Sequence, residues 1–297
     1  MKDFNQIYQK IYDECYIEIE QKRRKFLITK LLITIIVISI ISLITFKFFH
    51  TFILALVLII IPAFVLSFKF NNKYNTEYKN TIISKLVPYY DENLKFEPTL
   101  DISRKQYNQA EFESYKNFYS NDYIYGNLNG IINFELSDIR TTDETEDEKG
   151  NKKEYTVFQG LFSVSDLKLP IPGKVKIRSD KGLLGKFLHD KTQMSMDSQE
   201  FEKYFDVYAE DKILAMRILT SDIMDHILQF KKENKIKFEI TIKTSHIYIR
   251  IHCKNMFEGS ILKNALDFKT LHTYYKYLDF MCELNKKLYN ILEEKDF

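Results

Sequence analysis

The chain has 297 residues, of which 45% are hydrophobic, and its formal net charge of +2 is close to balance. This length accommodates one large domain or two smaller ones, and the near-neutral charge gives no sign of a nucleic-acid partner. The three cysteines, Cys15, Cys253 and Cys282, are odd in number and lie far apart. They suit a reducing compartment and offer neither a disulfide framework nor a zinc site.

Residues 1–25 are predicted to form a cytoplasmic amphipathic helix. The apolar side chains that recur there at helical spacing are Phe4, Ile7, Tyr8, Ile11, Tyr12, Cys15 and Ile19. Such a stripe either packs on the rest of the protein or a second copy, or it lies on lipid. Glu14, Glu18 and Glu20 are poor neighbours for anionic headgroups, which favours packing.

Residues 26–70 are predicted to form a transmembrane hairpin. The runs 26–46 and 48–68 are almost wholly apolar, and each is roughly 30 Å long as a helix, enough to cross the hydrocarbon core once. A single straight helix through both runs would be about twice the membrane thickness, so the chain is expected to turn near residues 47–51. The polar stretch ahead of the first run argues against a cleaved signal peptide.

Basic side chains flank the two runs on the same side of the predicted hairpin, and the turn carries only Lys47. Because Lys and Arg collect on the cytoplasmic side of a membrane, both termini are expected in the cytoplasm. The residues that determine this topology are Lys22, Arg23, Arg24, Lys25, Lys69 and Lys73. Membrane lipid is therefore an expected partner.

The remaining chain is predicted to be a helical connector at 71–93 followed by one cytoplasmic α+β domain at 94–297. Alternating apolar residues predict an antiparallel sheet, and helical periodicity at its two ends predicts helices packed on it. The expected elements are a helix over 103–117 capped by Ser103, strands at 130–140, 154–164 and 173–178, a hairpin at 235–253 that turns at 243–245, and a helix over 269–294.

The sequence contains no zinc-protease motif, no paired cysteines, no glycine-rich phosphate loop and no nucleophile elbow. Neighbouring residues of a strand point to opposite faces, so His252 and Cys253 do not form a pair. No catalytic residue, cofactor or metal ligand is therefore assigned. The sequence leaves open whether His189, which precedes Asp190, or His252 joins a site assembled from distant segments.

Asp222, Asp225 and His226 are spaced as three metal ligands on one helical face would be. The alternative is the solvated face of a surface helix. Thr220 or Ser221 is a suitable N-cap, and a complete apolar stripe lies opposite the polar one, which favours the solvated face. Asp225→Ala and His226→Ala are then expected to have little effect on folding.

The motifs F-x-G-x-F and F-x-V-Y, followed by L-T before a helix, resemble a family of bacterial membrane proteins of unknown function. They occupy Phe158, Gly160, Phe162, Phe205, Val207, Tyr208, Leu219 and Thr220. The family often has proline after that threonine, where this chain has Ser221. The resemblance implies a two-span protein of a bacterial inner membrane with a cytoplasmic domain, and it implies no activity.

Three classes of function remain. The favoured one is a membrane-anchored cytoplasmic module that binds or scaffolds a protein partner or a second copy. The alternatives are a membrane-tethered, hydrolase-like enzyme with a discontinuous site and a subunit of a small membrane transport complex. A deep pocket that gathers His189, Asp190, His226 or His252 would favour the enzyme.

Overall fold

A computed structural model describes residues 3–48, 70–146, 150–179, 192–254 and 256–294. The chain divides into two compact units. Unit 1 contains Met1–Tyr90 and Phe257–Thr273, and unit 2 contains Asp91–Met256 and Tyr274–Phe297.

Unit 1 is helical. Helix α1 (Phe4–Phe48) is 45 residues long. Helical backbone over 70–78 continues through a π-helical turn, Lys79–Ile83, into helix α2 (Ser84–Tyr90). Within the described ranges, no helix combines the length and the apolar character needed to cross a membrane. The structure therefore does not support the hairpin predicted at 26–70, whose first run lies in α1 and whose residues 49–68 lie outside those ranges.

The amphipathic stripe at the start of α1 forms part of the core of unit 1. Ile11 and Ile19 are wholly buried there together with Tyr74 and Ile82 of the second helical segment. Ion pairs join the same two segments at the surface, where Lys85 contacts Glu14 and Lys22 contacts Glu77. The apolar side chains of the N-terminal stripe are therefore buried by packing within unit 1.

Unit 2 is α+β, and the predicted antiparallel sheet with helices packed on it is confirmed. Its strands are β1 (Leu94–Glu97), β2 (Asn117–Leu128), β3 (Ile132–Glu146), β4 (Lys152–Arg178), β5 (Gln193–Met194), β6 (Asp206–Ala209) and β7 (Phe238–His252). Its helices are α3 (Arg104–Gln109), α4 (Gln199–Glu202), α5 (Lys212–Ile218), α6 (Ser221–Asn234) and the part of α7 (Phe268–Glu294) that follows Thr273.

Strand β4 is the centre of this sheet. It is 27 residues long and pairs along one edge with β7, while its other edge pairs with β3 and then with β6. The strand order is β1-β2-β3-β4-β6-β5, with β7 attached to β4. The two strands that the sequence predicts at 154–164 and 173–178 are thus one continuous strand, in which the register shifts between Asp166 and Lys174.

The predicted hairpin at 235–253 is wrong. Residues 238–252 form one bent strand, and both of its halves pair with β4. Thr244 has a φ of +60°, and the pairing register skips there, as at a β-bulge. The bulge changes which residues face the core, so buried Ile240 and Ile242 are followed by buried Ile247 and Ile249. In the sequence, the alternation of apolar residues moves from even-numbered to odd-numbered positions at this point. A turn and a bulge produce that pattern equally well.

The predicted helix at 103–117 is shorter than expected. Ser103 caps α3 in a capping box with Gln106, as predicted, but the helix ends at Gln109. Glu111 then adopts a left-handed φ of +52°. The irregular segment 110–116 brings Phe112 and Tyr115 onto the aromatic cluster of the sheet.

The two faces of the sheet are covered differently. The face called the α7 face carries Phe238 of β7, whose ring packs 5.4 Å from that of Phe280. The opposite face, called the α3 face, is covered in part by α3 and the segment 110–116. Its buried cluster is Ile102, Tyr107, Ala110, Ile139, Phe158, Phe162, Val164 and Tyr248.

Candidate functional site

Arg250 is a charged side chain buried on the α3 face, with only 4% of it exposed. Its Nη1 donates to the carboxylate of Glu113 and, at 3.3 Å, to the hydroxyl of Tyr107. Its Nη2 lies 2.9 Å from the Glu239 carboxylate. Arg250 alternates along β7 with Ile249 and Ile251, and its side chain is buried because α3 and the segment 110–116 cover its face of the sheet.

Aromatic rings enclose the same guanidinium group. It lies 4.0 Å from the ring centre of Phe112 and 5.2 Å from that of Phe158. Burial alone would lower the pKa of Arg250, but the carboxylates of Glu113 and Glu239 outweigh burial, and the pKa is raised. Arg250 is therefore permanently charged, and its rings and carboxylates replace the water that it loses.

A second charged group, here called the lysine cluster, lies further along the same face. It consists of Lys174, Lys176 and Lys243 gathered around Glu111. The ammonium groups of Lys174 and Lys243 both contact the Glu111 carboxylate, and the Lys176 Nζ donates to the Glu111 carbonyl at 2.7 Å. Lys174 and Lys243 face each other in the register of β4 and β7, so the sheet itself places their positive charges side by side.

Electrostatics in the lysine cluster shift two pKa values. Hydrogen bonds from Lys174 and Lys243 lower the pKa of Glu111 to about 2. Burial, together with the positive charges of Lys174 and Arg178, lowers the pKa of Lys176 to about 8. Lys176 thus carries a neutral amine for an appreciable fraction of the time near pH 8.

A cavity of about 200 Å³ adjoins both charged groups. Its walls carry aromatic rings and the two carboxylates that bind Arg250 and the lysine cluster. The lining residues are Tyr107, Asn108, Glu111, Phe112, Glu113 and Tyr115. The segment 110–116 therefore forms a cavity wall and also bears the anions that hold the neighbouring cations.

The three residues with metal-like spacing do not form a metal site. Asp222 pairs with Lys287 at 2.6 Å, and Asp225 is exposed. His226 is half-buried, its ring is stacked 5.5 Å from that of Phe280, and its pKa is lowered first by burial and then by the charge of Lys287. Within the described ranges, no three His, Cys, Asp or Glu residues are grouped to hold a metal ion.

His252 is not among the residues that line the cavity. His252 packs edge-on against Phe158, 4.9 Å between ring centres, and its pKa is lowered by burial and then by Arg250. His189 and Asp190 lie outside the described residues. Arg250 and the lysine cluster cannot be recognised from the sequence, because their charges alternate along strands as those of ordinary surface residues do.

The predicted topology residues contribute to unit 1 in different ways. Lys22 pairs with Glu18 and Glu77, Lys73 lies 5.8 Å from the Phe26 ring, and Lys25 lies in α1. Arg23 and Arg24 both bind Glu20, at 2.6 and 2.9 Å. Lys69 lies outside the described residues.

The motif residues have structural roles. Phe158 and Phe162 belong to the aromatic cluster of the α3 face. A Cβ atom on Gly160 between them would overlap the carbonyl oxygen of Ile251, so the two strands need glycine there. Phe205 stacks on Phe201 with 4.6 Å between ring centres.

Comparison with known proteins finds a matching family model whose members have no known function. The model of a family described as Protein of unknown function (DUF3137) matches residues 156–289. This range begins in β4 and ends in α7, and it contains the lysine cluster except Glu111. The expected resemblance to a family of unknown function is confirmed for these residues; the match tests neither the hairpin nor the motifs.

No curated protein matches the chain. Among solved structures, the chain is similar to the crystal structure of the mycobacterial trehalose monomycolate transport factor A, TtfA, with a TM-score of 0.37 and 7% sequence identity. The alignment covers 73% of this chain and 93% of that one.

Proposed function

We propose that the protein is a membrane-anchored binding module. Residues 26–70 insert into a bacterial inner membrane as a hairpin, and the α3 face of unit 2 binds the ligand or partner. The observation that carries the anchoring is a series of exposed aliphatic side chains along the second half of α1. They are Ile28, Leu31, Leu32, Ile35, Ile36, Ile38, Ile40 and Leu43, each between 39% and 71% exposed.

The free energy of these side chains favours lipid over water. Burying one Leu or Ile side chain stabilises a protein by about 2 kcal/mol, so eight left in water forgo a large stabilisation. Soluble proteins rarely expose a continuous apolar patch of this extent. In the first half of the same helix, Ile7, Ile11 and Ile19 are buried within unit 1, and Ile17 is exposed.

The basic residues at 22–25 support a cytoplasmic location for both termini. Glu20 neutralises part of their charge, but acidic residues contribute little to membrane orientation, whereas Lys and Arg dominate it. Reporter enzymes fused to either terminus should be active only when they function in the cytoplasm. Activity of a periplasm-dependent reporter at either end would contradict this orientation.

The geometry of unit 2 supports binding over catalysis. The cavity is small, and its two carboxylates are already paired with cations. His226 and His252 pack on phenylalanine rings away from its walls. One observation favours the enzyme alternative: Lys176 has the lowered pKa expected of a reactive amine.

Membrane partitioning tests the anchoring. Replacing both Ile35 and Ile36 by glutamate places two charges in the apolar half of α1 and should move most of the protein from the carbonate-resistant membrane fraction to the soluble fraction. Ile17→Glu is the matched control, because Ile17 is 72% exposed on the same helix outside the apolar run. Recovery of the parent protein in the soluble fraction would overturn the anchoring.

A further inference from the structure

The lysine cluster holds more positive than negative charge. Lys174 and Lys243 contact the Glu111 carboxylate, and Lys176 donates to the Glu111 backbone carbonyl. Three ammonium groups and one carboxylate leave two positive charges within the cluster at pH values below the Lys176 pKa of about 8. The nearby carboxylate of Glu239 is directed to Arg250 and Arg178. A partly buried group of cations with an excess of positive charge attracts a second anion, or an anion that carries more charge than the Glu111 carboxylate.

The three lysines are also partly shielded from water. The side chains of Lys174 and Lys243 are only 26% and 17% exposed, although both are long and flexible. Lys176 is half-buried between Lys174 and Arg178, whose charges oppose its own. Congested, partly desolvated ammonium groups bind an incoming anion more strongly than fully solvated ones do.

Glu111 is placed so that it can leave the cluster. It lies just beyond the end of α3, its backbone is in the left-handed region at φ +52°, and its side chain is 52% exposed. A non-glycine residue is disfavoured in that conformation. The unfavourable backbone conformation of Glu111 therefore cancels part of the stabilisation that its ion pairs with Lys174 and Lys243 provide.

We propose that the lysine cluster is a phosphate-binding site in which the phosphate group replaces the Glu111 carboxylate between Lys174 and Lys243. A phosphate group carries close to two negative charges and three acceptor oxygens, which match three ammonium donors better than one carboxylate does. The group belongs to free phosphate, a phosphate monoester or a lipid headgroup. The inference rests on the binding half of the proposed function and is independent of the membrane half.

Calorimetry of the full chain in a non-ionic, phosphate-free detergent tests the site, with inorganic phosphate as the probe. Glu111→Gln removes the internal competitor and should tighten phosphate binding by on the order of tenfold, the effect of one charge-assisted contact. Lys243→Gln should weaken binding by about the same factor. A gain of affinity in Glu111→Gln cannot result from misfolding.

Glu144→Gln is the matched control. Glu144 of β3 pairs at 2.5 Å with Lys116, the last residue of the segment 110–116. Its replacement removes the same charge from a lysine contact outside the lysine cluster. Phosphate affinity should stay unchanged in this variant. Measurable but equal phosphate affinities in the parent, Glu111→Gln and Lys243→Gln proteins would overturn the proposal, as would an equal gain in Glu144→Gln.

A second arm identifies the source of the phosphate. Short-chain phosphatidic acid, which carries a phosphate monoester, is compared with short-chain phosphatidylcholine in the same detergent. Binding of phosphatidic acid that Lys243→Gln weakens, without binding of inorganic phosphate, assigns the site to a lipid headgroup. Binding of both probes assigns it to phosphate in general, and binding of neither overturns the proposal. The membrane fraction plays no part in this assay, so its outcome is separate from the test of anchoring.

Discussion

Arg250 connects the segment 110–116 to the sheet through a single guanidinium group. The group binds Glu113 of that segment and Glu239 of its own strand, and it is stacked on Phe112. Removing one partner from a buried ion pair leaves the other charges without compensation, and this usually costs about 3–5 kcal/mol. Arg250 is therefore expected to be more important for stability than any exposed ion pair of the unit.

Arg250→Ala should lower the free energy of unfolding by about 3–5 kcal/mol, measured by urea denaturation. The control is Arg140→Ala, since Arg140 is 50% exposed and lies 3.8 Å from Glu154. Its loss should cost less than about 1 kcal/mol. Similar losses in the two variants would show that the buried network does not stabilise unit 2.

Lys176 should react with an acylating reagent at a lower pH than an ordinary lysine. Because burial, Lys174 and Arg178 lower its pKa to about 8, half of its amine is neutral at that pH. Lys174→Gln removes one repelling charge and should shift the labelling profile of Lys176, followed by mass spectrometry, to higher pH. Lys95→Gln on the distant strand β1 should leave the profile in place. A profile that does not respond to Lys174→Gln would contradict this cause.

At the scale of elements, the close pairing of β4 with β7 depends on one glycine. Gly160 has a φ of +152°, and a Cβ atom there would overlap the Ile251 carbonyl of the neighbouring strand. The backbone of β4 must therefore shift before any other residue fits. This close approach explains the central glycine of F-x-G-x-F without a ligand.

Gly160→Ala should destabilise unit 2 by about 3 kcal/mol or more, because it combines backbone strain with a clash between strands. Gly130→Ala separates the two effects. Gly130 also has a positive φ, of +73°, but a Cβ atom there would meet no atom within 4 Å. Its cost should be about 1–2 kcal/mol. Thermal denaturation that ranks Gly130→Ala as the more harmful substitution would refute this account.

The local patterns of the sequence predict secondary structure better than they predict strand partners. The alternation in 235–253 correctly indicates extended chain and an interruption near Thr244, and the cap at Ser103 is correct. Both halves of β7 pair with β4. The sequence near β7 does not indicate a pairing partner that lies so far away in the chain. The same limit hid the candidate site, whose charges come from α3's end, β4 and β7 and meet only after folding.

At the scale of the whole molecule, each unit contains a carboxylate whose ionised form stabilises the fold. In unit 1, the hydrogen bond from Arg23 and that from Arg24 outweigh burial and lower the pKa of Glu20 to about 2. In unit 2, Lys174 and Lys243 do the same for Glu111. A pKa lowered on folding contributes stability above the unfolded value near 4.5, and that contribution is lost as the pH falls towards 2.

The thermal midpoint should therefore fall steeply between pH 4.5 and pH 2. Glu20→Gln lacks the titrating group and should be less stable than the parent at pH 7, while its midpoint should change less over the acid range. The difference between the two proteins should shrink as the pH decreases. Parallel curves would show that Glu20 does not contribute to the acid sensitivity.

The position of β4 in the sheet has a consequence for synthesis on the ribosome. One edge of β4 is paired by β3, which precedes it, but the other edge is paired by β7, which leaves the ribosome only after residues 179–237. Until then the longest strand of the sheet has an open edge, and open edges recruit other chains. Until residues 238–252 have been synthesised, the nascent chain is therefore expected to be more prone to aggregation than the complete sheet.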